Sequence, residues 1–344
     1  MCPIFYKSAS KVLVMKILVT GGLGFIGSNF ILKLLTENND YEIINVDAEL
    51  FGADHKNLSI IKNSEKYHFE KGNISNKKFM EEQIAKCDVV INFAAESFVD
   101  RSINDANPFL VSNIRGAFTI LDIATKQMKR MIQISTDEVF GSLSNGTATE
   151  ESKLNPSSPY AATKAAAELL VNSYSVTHDS DVIITRCTNN YGPRQFAEKL
   201  IPKTIILANQ NRKIPIYGKG VNVRDWIYVD DHCDAILLAL LNGKPGESYN
   251  ISANNEIDNL TIVKKILEIM HKPEDLIEFV EDRPGHDFRY SLNSSKISEQ
   301  LGWKVKTSFE NGLKNTVQWY LDNPELLNNV SSTVLDPTPW KSSN

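Results

Sequence analysis

The sequence predicts an α/β protein, with a Rossmann-type, doubly wound parallel sheet followed by a smaller, mixed α/β C-terminal lobe. Three observations support this prediction. Short β-rich runs alternate with helical segments from residue 16 to residue 187, and a glycine-rich loop follows the first run. After residue 190 the alternation loosens, and glycine and proline become more frequent. Such alternation is typical of βαβ units, in which helices cover both faces of a parallel sheet.

The elements of the first lobe are predicted from runs of apolar residues and from the spacing of those residues. Strands are expected at 16–20, 41–47, 67–73, 88–95, 131–136 and 181–187. Helices are expected at 25–35, 76–86, 108–127 and 159–176. No internal repeat or low-complexity linker divides the sequence, so the second lobe is expected to interleave with the last strands of the first.

Bulk composition excludes several classes of function. Of the 344 residues, 42% are hydrophobic and 23% are charged, which is typical of a globular protein. The formal net charge of −5 gives no general basic character, so no nucleic-acid partner is expected, and no apolar run approaches the length of a membrane span. The four cysteines show no metal-ligand spacing. We therefore expect no metal, and reduced thiols in a cytoplasmic protein.

The loop TGGLGFIG (20–27) predicts a dinucleotide site. Gly21, Gly24 and Gly27 lie between a strand and a helix, where glycine permits a tight turn and a close approach of the backbone to a pyrophosphate. Asp47 ends the next strand, and a carboxylate there accepts hydrogen bonds from the adenosine ribose hydroxyls. It would repel the additional phosphate of NADP, so the predicted cofactor is NAD. A glycine-rich turn and an unrelated acid are the weaker interpretation.

Tyr160 and Lys164 form a Tyr-x-x-x-Lys pair on one face of a predicted helix. Tyrosine has an ordinary pKa of about 10, and a nearby ammonium group and an oxidised nicotinamide would both lower it. Taken alone, the spacing is also that of a surface pair. Following a dinucleotide fold, and one strand beyond Ser135 and Thr136, it favours proton transfer at a hydroxyl group.

The stretch ISTDEVFG (134–141) ends a predicted strand with a hydroxyl group and two adjacent carboxylates. Two interpretations are open. Taken locally, Asp137 and Glu138 are a solvated strand end, which is the usual fate of two acids. Beside a dinucleotide site they are an acid and a base in position for a substrate.

Seven segments together resemble one family, the extended short-chain dehydrogenases/reductases, and within it the nucleotide-sugar 4,6-dehydratases, above all those acting on dTDP-glucose. The segments cover most of the chain, from about residue 16 to residue 303, and they are long enough to exclude coincidence. They read TGGLGFIGSNF, NFAAESFVDRSI, ISTDEVFG, PSSPYAATKAAAE, NNYGPRQFAEKLIP, PIYGKGVNVRDWIYVDDH, and DRPGHDFRY followed by LGW.

The resemblance implies a dehydration in which NAD is regenerated in every cycle, because hydride removed from C4 of the sugar returns at C6. Oxidation at C4 makes the C5 proton acidic, so that a base can remove it while an acid protonates the leaving C6 hydroxyl. By resemblance Asp137 is the acid and Glu138 the base. Thr136 would hydrogen-bond the C4 hydroxyl, Tyr160 would take its proton, and Lys164 would hold the nicotinamide ribose and the phenolate.

The resemblance also assigns binding residues in both lobes. Beyond the glycines, Asp47, Tyr160 and Lys164, it implies cofactor contacts from Phe25, Ile26, Asn73, Ile74, Ala94 and Ala95. It implies contacts to a nucleotide-diphosphate sugar from Ser97, Asn190, Glu198, Lys199, Arg224, Arg283 and His286. Guanidinium groups bridge the oxygens of a pyrophosphate and ammonium groups supply compact charge, so these residue types suit that ligand.

The predicted domain boundaries follow from these motifs. The NAD-binding Rossmann domain is expected at 15–188 and 222–250. The nucleotide-sugar-binding lobe is expected at 189–221 and 251–325. Extensions outside the core are expected at 1–14 and 326–344, and the C-terminal one either wraps the surface or is disordered. By resemblance, the third and fourth predicted helices form a four-helix bundle between the subunits of a homodimer.

Several departures from the family pattern affect the ligands. Asn73 stands where an aspartate usually contacts the adenine amino group, although its amide oxygen can still accept a hydrogen bond. The loop 48–54 lacks the usual Lys-Leu-Thr-Tyr-Ala-Gly. Phe98 and Ala197 replace a common histidine and a usual proline near the sugar or the nucleotide. The substrate is therefore dTDP-glucose by resemblance, with UDP-glucose and UDP-N-acetylglucosamine as alternatives.

Two other functions are alternatives to the dehydratase. A C4 epimerase or a decarboxylase of the same superfamily would not need Asp137 and Glu138 as an acid/base pair. A non-enzymatic, NAD-sensing protein that had kept the fold would need neither Tyr160 nor Lys164. Because fold alone does not determine function, only these residues favour the dehydratase.

Overall fold

The computed structural model describes residues 14–37, 40–328 and 330–341. Within these residues the strands are β1 (Met15–Thr20), β2 (Tyr41–Asp47), β3 (Tyr67–Lys71), β4 (Val89–Asn92), β5 (Arg130–Thr136), β6 (Val182–Cys187), β7 (Asn189–Tyr191), β8 (Ile214–Tyr217), β9 (Val223–Tyr228), β10 (Ser248–Ile251), β11 (Glu256–Asp258) and β12 (Ile277–Val280). The helices are α1 (Phe25–Glu37), α2 (Lys77–Ile84), α3 (Val99–Asn104), α4 (Asn107–Phe109), α5 (Ala117–Lys126), α6 (Pro159–His178), α7 (Leu200–Asn209), α8 (Val229–Asn242), α9 (Asn259–Ile269), α10 (Ser295–Leu301), α11 (Phe309–Leu321) and α12 (Pro324–Asn328).

Seven parallel strands form the central sheet, in the order β3-β2-β1-β4-β5-β6-β10. The direction in which the chain adds strands reverses between β1 and β4. In open sheets of this kind, ligands bind in the crevice outside the carboxyl ends of the strands, at such a switch point. The predicted fold class is confirmed, and the topology places a ligand site beside the ends of β1, β2, β4 and β5.

The side chains of β1 show why the sheet needs helices on both faces. Ile17 and Val19 are fully buried on one face, where they share a cluster with residues of α1 and α8. Leu18 is fully buried on the other face, among residues of α2, α5 and α6. Because successive side chains of a strand point to opposite faces, a continuous apolar run predicts burial on both.

The helix predicted at 108–127 is interrupted in the structure. After the short helix α4, Leu110–Gly116 forms a π-helical segment before α5 begins. The segment contains the buried Asn113, whose Oδ1 accepts a hydrogen bond from the Glu96 backbone N–H at 2.8 Å and whose Nδ2 donates to the Glu96 carbonyl at 2.9 Å. These bonds tie the segment to the loop after β4. The spacing of apolar residues did not predict this wider helical turn, because the turn accompanies a tertiary contact that such spacing does not reveal.

Two smaller sheets organise the second lobe. Strands β11, β9 and β7 form one, and β12 pairs in parallel with β8 in the other. Helices α7, α9 and α11 contribute the apolar residues that pack with them. Between these elements the chain returns to the first lobe, where β10 pairs with β6 and α8 packs with α1. The predicted domain boundaries stay a prediction. Strand β9, which lies in the segment predicted for the first lobe, pairs with β7 and β11 of the second lobe.

The C-terminal tail packs against the second lobe. Val334, Leu335 and Trp340 are each no more than 8% exposed, and the Lys203 ammonium donates to the Asp336 carbonyl at 3.0 Å. Of the two outcomes left open by the sequence, these residues therefore wrap the surface. Apart from residue 14, the predicted N-terminal extension lies outside the described residues. Among the described residues, no helix has both the length and the apolar character that a membrane crossing requires.

Candidate active site

The loop between β1 and α1 brings backbone close to backbone at the carboxyl end of the sheet. Gly21 has φ +72°, and a Cβ atom there would lie 2.6 Å from the backbone nitrogen of Ala94. A Cβ atom on Gly27 would lie 2.6 Å from the carbonyl oxygen of Gly21. Any larger residue would therefore push the loop away from β4 or from the start of α1. The result is a cradle whose floor is the positive N-terminal end of a 13-residue helix.

Asp47 ends β2 beside this cradle. Its Oδ2 accepts a hydrogen bond from the Leu23 N–H at 3.0 Å, and its Oδ1 accepts one from the Glu49 N–H at 2.8 Å. These bonds fix the carboxylate and leave one lone pair of each oxygen for another donor. Burial raises the pKa of Asp47, although the two backbone hydrogen bonds oppose that rise. The geometry suits two vicinal hydroxyl groups.

Two adjoining cavities lie over the ends of the strands. All of the predicted cofactor residues and all five predicted catalytic residues line the larger one, together with Ser97 and Asn190. The smaller cavity is lined by the other predicted substrate residues, namely Glu198, Lys199, Arg224, Arg283 and His286. Glu138, Lys199 and Phe98 line both cavities. The structure therefore brings the two predicted sites together at Glu138, although the individual roles of the residues stay predictions.

The two carboxyl groups after β5 are not a solvated strand end. Asp137 and Glu138 begin a single turn of 3₁₀ helix, which Thr136 caps by accepting a hydrogen bond from the Glu138 N–H at 3.3 Å. Asp137 is 3% exposed, its Oδ1 accepts a hydrogen bond from the Thr136 hydroxyl at 3.0 Å, and its Oδ2 is buried without a protein partner. A buried carboxyl oxygen without a donor favours the protonated acid.

The surroundings push the pKa values of the two carboxyl groups apart. Burial raises the pKa of Asp137 well above its ordinary value, and the neighbouring Glu138 charge raises it further. Burial also raises the pKa of Glu138, but the positive charges of Arg283, Lys199 and Arg224 oppose that rise. The surroundings therefore favour the protonated form more strongly at Asp137, whereas the cations around Glu138 favour its ionised form. Such a difference is what an acid and a base in one site require.

Helix α6 delivers Tyr160 and Lys164 to the same cavity. The Ser158 side chain caps the helix by accepting a hydrogen bond from the Ala161 N–H at 3.1 Å, and the Tyr160 N–H donates to the Ser102 hydroxyl at 3.1 Å. These bonds fix the first turn, which carries Tyr160, and Lys164 follows one turn later on the same face.

The charges around this pair differ from the expectation that Tyr160 has a lowered pKa. Burial raises the pKa of Tyr160 well above its ordinary value, and the charge of Glu138 adds to the rise, although the Thr136 side chain opposes it. The Lys164 ammonium donates to the Ile134 carbonyl at 2.6 Å, and burial lowers its pKa to about 8. Tyr160 therefore holds its proton here, and an additional positive charge is needed to make it a base.

Arg283 and Lys199 form the cationic wall of the smaller cavity. The Lys199 ammonium donates to the Ser97 carbonyl at 2.9 Å. Arg283 donates through Nη1 to the Asp100 carboxylate at 2.9 Å, while its Nε is buried without a partner. A buried guanidinium N–H without an acceptor is costly, and an anionic ligand would satisfy it. These two side chains are therefore suited to bind a diphosphate.

Arg224, Glu198 and His286 are held more firmly by the protein itself. Arg224 is 5% exposed and donates to the carbonyls of residues 223, 287 and 288. The Glu198 carboxylate accepts a bidentate pair of hydrogen bonds from Arg101, from Nε to Oε1 at 3.2 Å and from Nη2 to Oε2 at 2.7 Å. His286 Nδ1 lies 2.6 Å from Asp282 Oδ1, and burial lowers the histidine pKa to about 4, so the ring is neutral at pH 7.

Four residues of the site were not singled out by the sequence. On α3, Asp100 binds both Arg283 and the Tyr217 hydroxyl, whose distance to Asp100 Oδ2 is 2.9 Å, and Arg101 binds Glu198. Fully buried His232 lies with its Nδ1 2.9 Å from Asn190 Oδ1 and so fixes that amide. Asp100 and Arg101 lie within the segment FVDRSI, so their signal was present, whereas nothing local in the sequence connects residue 232 with residue 190.

Comparisons with known proteins identify the family of the chain. Residues 18–316 match the family described as GDP-mannose 4,6 dehydratase. The low-salt glycan biosynthesis protein Agl12 of Haloferax volcanii is 47% identical over 312 residues, which are 90% of this chain and 100% of that protein.

Two solved structures share both the fold and much of the sequence. The dTDP-glucose 4,6-dehydratase of Bacillus anthracis, in complex with NAD, matches with a TM-score of 0.85 and 44% identity over 90% of this chain and 98% of that one. DesIV, a dTDP-glucose 4,6-dehydratase of Streptomyces venezuelae with NAD bound, matches with a TM-score of 0.88 and 41% identity over the same shares of the two chains. The chain belongs to the GDP-mannose 4,6 dehydratase family, as its resemblance to nucleotide-sugar 4,6-dehydratases predicts.

Proposed function

We propose that this chain is an NAD-dependent 4,6-dehydratase that converts dTDP-glucose to the 4-keto-6-deoxy sugar. One observation carries the proposal. Asp137 and Glu138 are adjacent carboxyl groups, and they line one cavity with Thr136 and Tyr160. Their surroundings raise the pKa of Asp137 strongly, whereas nearby cations oppose the rise at Glu138. Elimination of water from a sugar needs such an acid and base together. The names of the two similar solved enzymes support dTDP-glucose as the substrate.

The residues of the larger cavity fit NAD. Gly21 and Gly27 have no room for a Cβ atom because backbone already lies there, which is the close packing that a pyrophosphate-binding loop requires. Asp47 has lone pairs left for the two ribose hydroxyls and would repel a 2′-phosphate. When bound, NAD would supply the redox capacity for oxidation at C4 and reduction at C6, as well as the positive charge of its oxidised ring.

In the first step Tyr160 accepts the proton of the C4 hydroxyl. Its raised pKa means that the phenolate forms only beside a positive charge, which the ammonium of Lys164 and the oxidised ring provide together. Thr136 is proposed to hydrogen-bond the same hydroxyl, and the effect of its side chain on the pKa of Tyr160 supports this role. Lys164 stays held by the Ile134 carbonyl, which orients its remaining N–H groups.

In the second step the two carboxyls act together. Glu138, kept ionised by the cations around it, removes the proton from C5, which the C4 ketone has made acidic. Asp137, kept protonated by burial and by Glu138, gives its proton to the C6 hydroxyl, which leaves as water. When hydride is delivered to C6, C5 is reprotonated from Glu138, whose proton has by then exchanged with solvent. Tyr160 releases the proton that it took from the C4 hydroxyl and the Asp137 carboxylate takes one up, so both groups are reset for the next cycle.

The smaller cavity is proposed to hold the nucleotide diphosphate. Arg283 offers an unpartnered Nε, and Lys199 lies where the two cavities meet. Asn190, oriented by His232, lines the larger cavity near the sugar. The wall of the smaller cavity is proposed to be completed by Arg224, Glu198 and His286. Arg224 and Glu198 are held in place there by their bonds within the protein. In this arrangement the C5 base lies between the sugar and the diphosphate cations.

The leading alternatives differ in the nucleotide or in the reaction. UDP-glucose and UDP-N-acetylglucosamine would use the same acid and base, and Phe98 and Ala197 leave the nucleotide preference to experiment. A C4 epimerase or a decarboxylase would have no use for a protonated Asp137 beside an ionised Glu138. An NAD-sensing protein would not need the buried Lys164.

The test is direct. The purified protein is incubated separately with dTDP-glucose, UDP-glucose, UDP-N-acetylglucosamine and GDP-mannose, and each reaction is then made alkaline. A 4-keto-6-deoxy product absorbs near the ultraviolet edge in alkali, whereas an epimer does not, and we expect this absorbance with dTDP-glucose. A Glu138→Gln variant is the matched control. Conversion of the sugar to its epimer, or no conversion of any of the four, would refute the proposal.

We also propose a homodimer whose interface is a four-helix bundle, and a cytoplasmic location. The support for the dimer is an apolar surface on two neighbouring helical regions: Leu110, Val111 and Phe118 are 39–47% exposed around α5, and Leu169 on α6 is 61% exposed. Packing these side chains against a second copy would remove them from water. The support for the location is that Cys87, Cys187 and Cys233 are free and buried. Sedimentation of the protein, with Leu169→Asp as the disrupted form, tests the dimer.

A further inference from the structure

The loop 48–54 follows Asp47 and lines the larger cavity. Five of its residues, Ala48 and residues 50–53, line that cavity. The loop is anchored at both ends, because the Glu49 N–H donates to Asp47 and the Asp54 N–H donates to the Leu23 carbonyl at 3.1 Å. Between the anchors the chain makes a tight turn, in which the Ala53 N–H donates to the Leu50 carbonyl at 3.0 Å. It is therefore a short loop, held at both ends, that forms part of the cavity wall; we call it the flap.

The middle of this flap is attached to the opposite side of the cleft by an aromatic cluster. The Phe51 ring lies edge-on to Phe98, with centroids 5.0 Å apart, and edge-on to Phe196, with centroids 4.9 Å apart. Phe98 and Phe196 contact each other at 5.5 Å. Phe196 belongs to the second lobe, just before α7, so the three rings join the flap to the substrate side of the cleft. Each edge-to-face pair stabilises its arrangement beyond the burial of apolar area.

Charged residues reinforce the same attachment. The Arg101 guanidinium lies 3.7 Å from the centroid of the Phe51 ring, and Arg101 is itself held by Glu198 in the second lobe. The Lys199 ammonium lies 4.7 Å from the centroid of the Phe98 ring. Cations over aromatic faces attract the rings, and more strongly where water is excluded. Gly52, at φ +91°, lets the flap approach, since a Cβ there would lie 3.3 Å from the Phe98 ring.

Phe51 stays partly exposed to solvent although several side chains contact its ring. Its side chain is 40% exposed, although two rings and a guanidinium group contact it. Burial of Phe51 in a core therefore does not account for its place. Because Phe51 is partly exposed and lies on a short loop, breaking its contacts with the other lobe would not open a hydrophobic core.

We propose that the loop 48–54 is the gate through which NAD leaves, and that Phe51 latches it to the second lobe. The proposal rests on the proposed function only for the identity of the cofactor. A dehydratase that regenerates NAD in each cycle gains nothing from releasing it, whereas a released cofactor must be bound again. To release NAD, the flap must lift away from the cradle, and it must first give up its contacts with Phe98, Phe196 and Arg101.

The experiment measures the rate of NAD release from the whole protein. Protein loaded with radiolabelled NAD is mixed with a large excess of unlabelled NAD, and the label retained on the protein is followed with time. We expect Phe51→Ala to release the label about tenfold to a hundredfold faster than the native chain, because two ring contacts and one cation contact are lost. Phe51→Tyr keeps the ring and its faces, so we expect it to restore slow release to within about twofold.

Phe279→Ala is the matched control, since Phe279 is 57% exposed on β12 and lines neither cavity. It should release NAD at the native rate. The thermal unfolding midpoint of each loaded variant is measured in parallel, and Phe51→Leu, which keeps an apolar side chain without a ring, serves as a second variant. Folded Phe51→Ala and Phe51→Leu proteins that release label at the native rate would overturn the latch.

The result separates this inference from the proposed function. If the native chain dehydrates dTDP-glucose but the Phe51→Ala variant releases NAD no faster, the proposed function stands and the latch is refuted. If Phe51→Ala accelerates NAD release but the native chain dehydrates none of the sugars, the latch stands and the proposed function is refuted. A native chain that binds no NAD overturns both.

Discussion

The cofactor side and the substrate side of the cleft are built in different ways. The cofactor side is backbone: Gly21 and Gly27 come from one strand, loop and helix, and their close contacts leave a shaped cradle. The substrate side is a set of side-chain ion pairs between distant parts of the chain. Asp100 and Arg283 are 183 residues apart in the sequence, and Arg101 and Glu198 are 97 apart.

This difference means that the two sides respond differently to change. A cradle of backbone atoms depends on shape, so it loses affinity when a side chain intrudes or when its single acid, Asp47, is removed. The substrate side depends on the balance of charges, because Arg283 is paired with Asp100, is proposed to bind the ligand and also acts on the pKa of Glu138. A change on the substrate side should therefore alter both binding and proton transfer, whereas a change on the cofactor side should alter retention of NAD alone.

The largest effect is expected where the two sides meet, at Glu138 and Asp137. Glu138→Gln keeps the size of the side chain but removes the base, and Asp137→Asn removes the proton donor. Loss of one such group typically costs about two to four orders of magnitude in rate. In both variants C4 oxidation should still occur, so the absorbance of reduced NAD should appear on addition of substrate while product formation collapses.

Two further readings complete this test. In Glu138→Gln, deuterium from the solvent should no longer enter C5. Tyr160→Phe is the contrasting variant, because it should stop the oxidation itself and give no absorbance of reduced NAD in a single turnover. Elimination at the native rate in both carboxyl variants would show that Asp137 and Glu138 do not act as acid and base.

The comparison also explains what the sequence could predict. The cradle and Asp47 were predictable because glycine spacing and a strand-end acid are local features, and the structure places them in one cavity. Apolar runs predicted the order of the strands in the chain, although the wider helical turn around Asn113 was not visible, since it accompanies a contact with Glu96. The partners of the substrate-side cations were likewise hidden, because a charge pair between residues 100 and 283 leaves no local pattern.

The second prediction concerns the substrate side alone. Arg283→Gln removes a guanidinium group that is paired with Asp100 and whose buried Nε has no partner in the protein. Binding of the diphosphate should therefore weaken. Charge-assisted hydrogen bonds contribute about 1.5–3 kcal/mol, which corresponds to a rise in KM of roughly 10- to 150-fold. NAD retention should be unchanged, and that is the control. An Arg283→Gln protein with native KM would show that the diphosphate is bound elsewhere.

The third prediction concerns the cofactor side alone. Asp47→Ala removes the acceptor for the ribose hydroxyls and the negative charge that repels a 2′-phosphate. We expect NAD affinity to fall by about tenfold, as for the loss of one charge-assisted hydrogen bond of about 1.5 kcal/mol, and the discrimination against NADP to narrow. Cofactor released from denatured protein is quantified for both dinucleotides. Unchanged NAD content together with unchanged discrimination would place the ribose away from Asp47.

The smallest effect, and the one that best shows the shared charge, is expected from Lys199→Met. Burial raises the pKa of Glu138, while Arg283, Lys199 and Arg224 oppose that rise. Because Glu138 must be ionised to take the C5 proton, its pKa sets the acid limb of the pH profile of kcat, above the range of an ordinary glutamate. Removing one of three opposing cations raises that pKa further, so the acid limb should move to higher pH.

Removing the charge from a residue of similar exposure outside the site, as in Lys296→Met, should leave the limb in place. With substrate saturating, a limb that stays fixed or moves to lower pH in Lys199→Met would show that the cations of the substrate side do not govern the base.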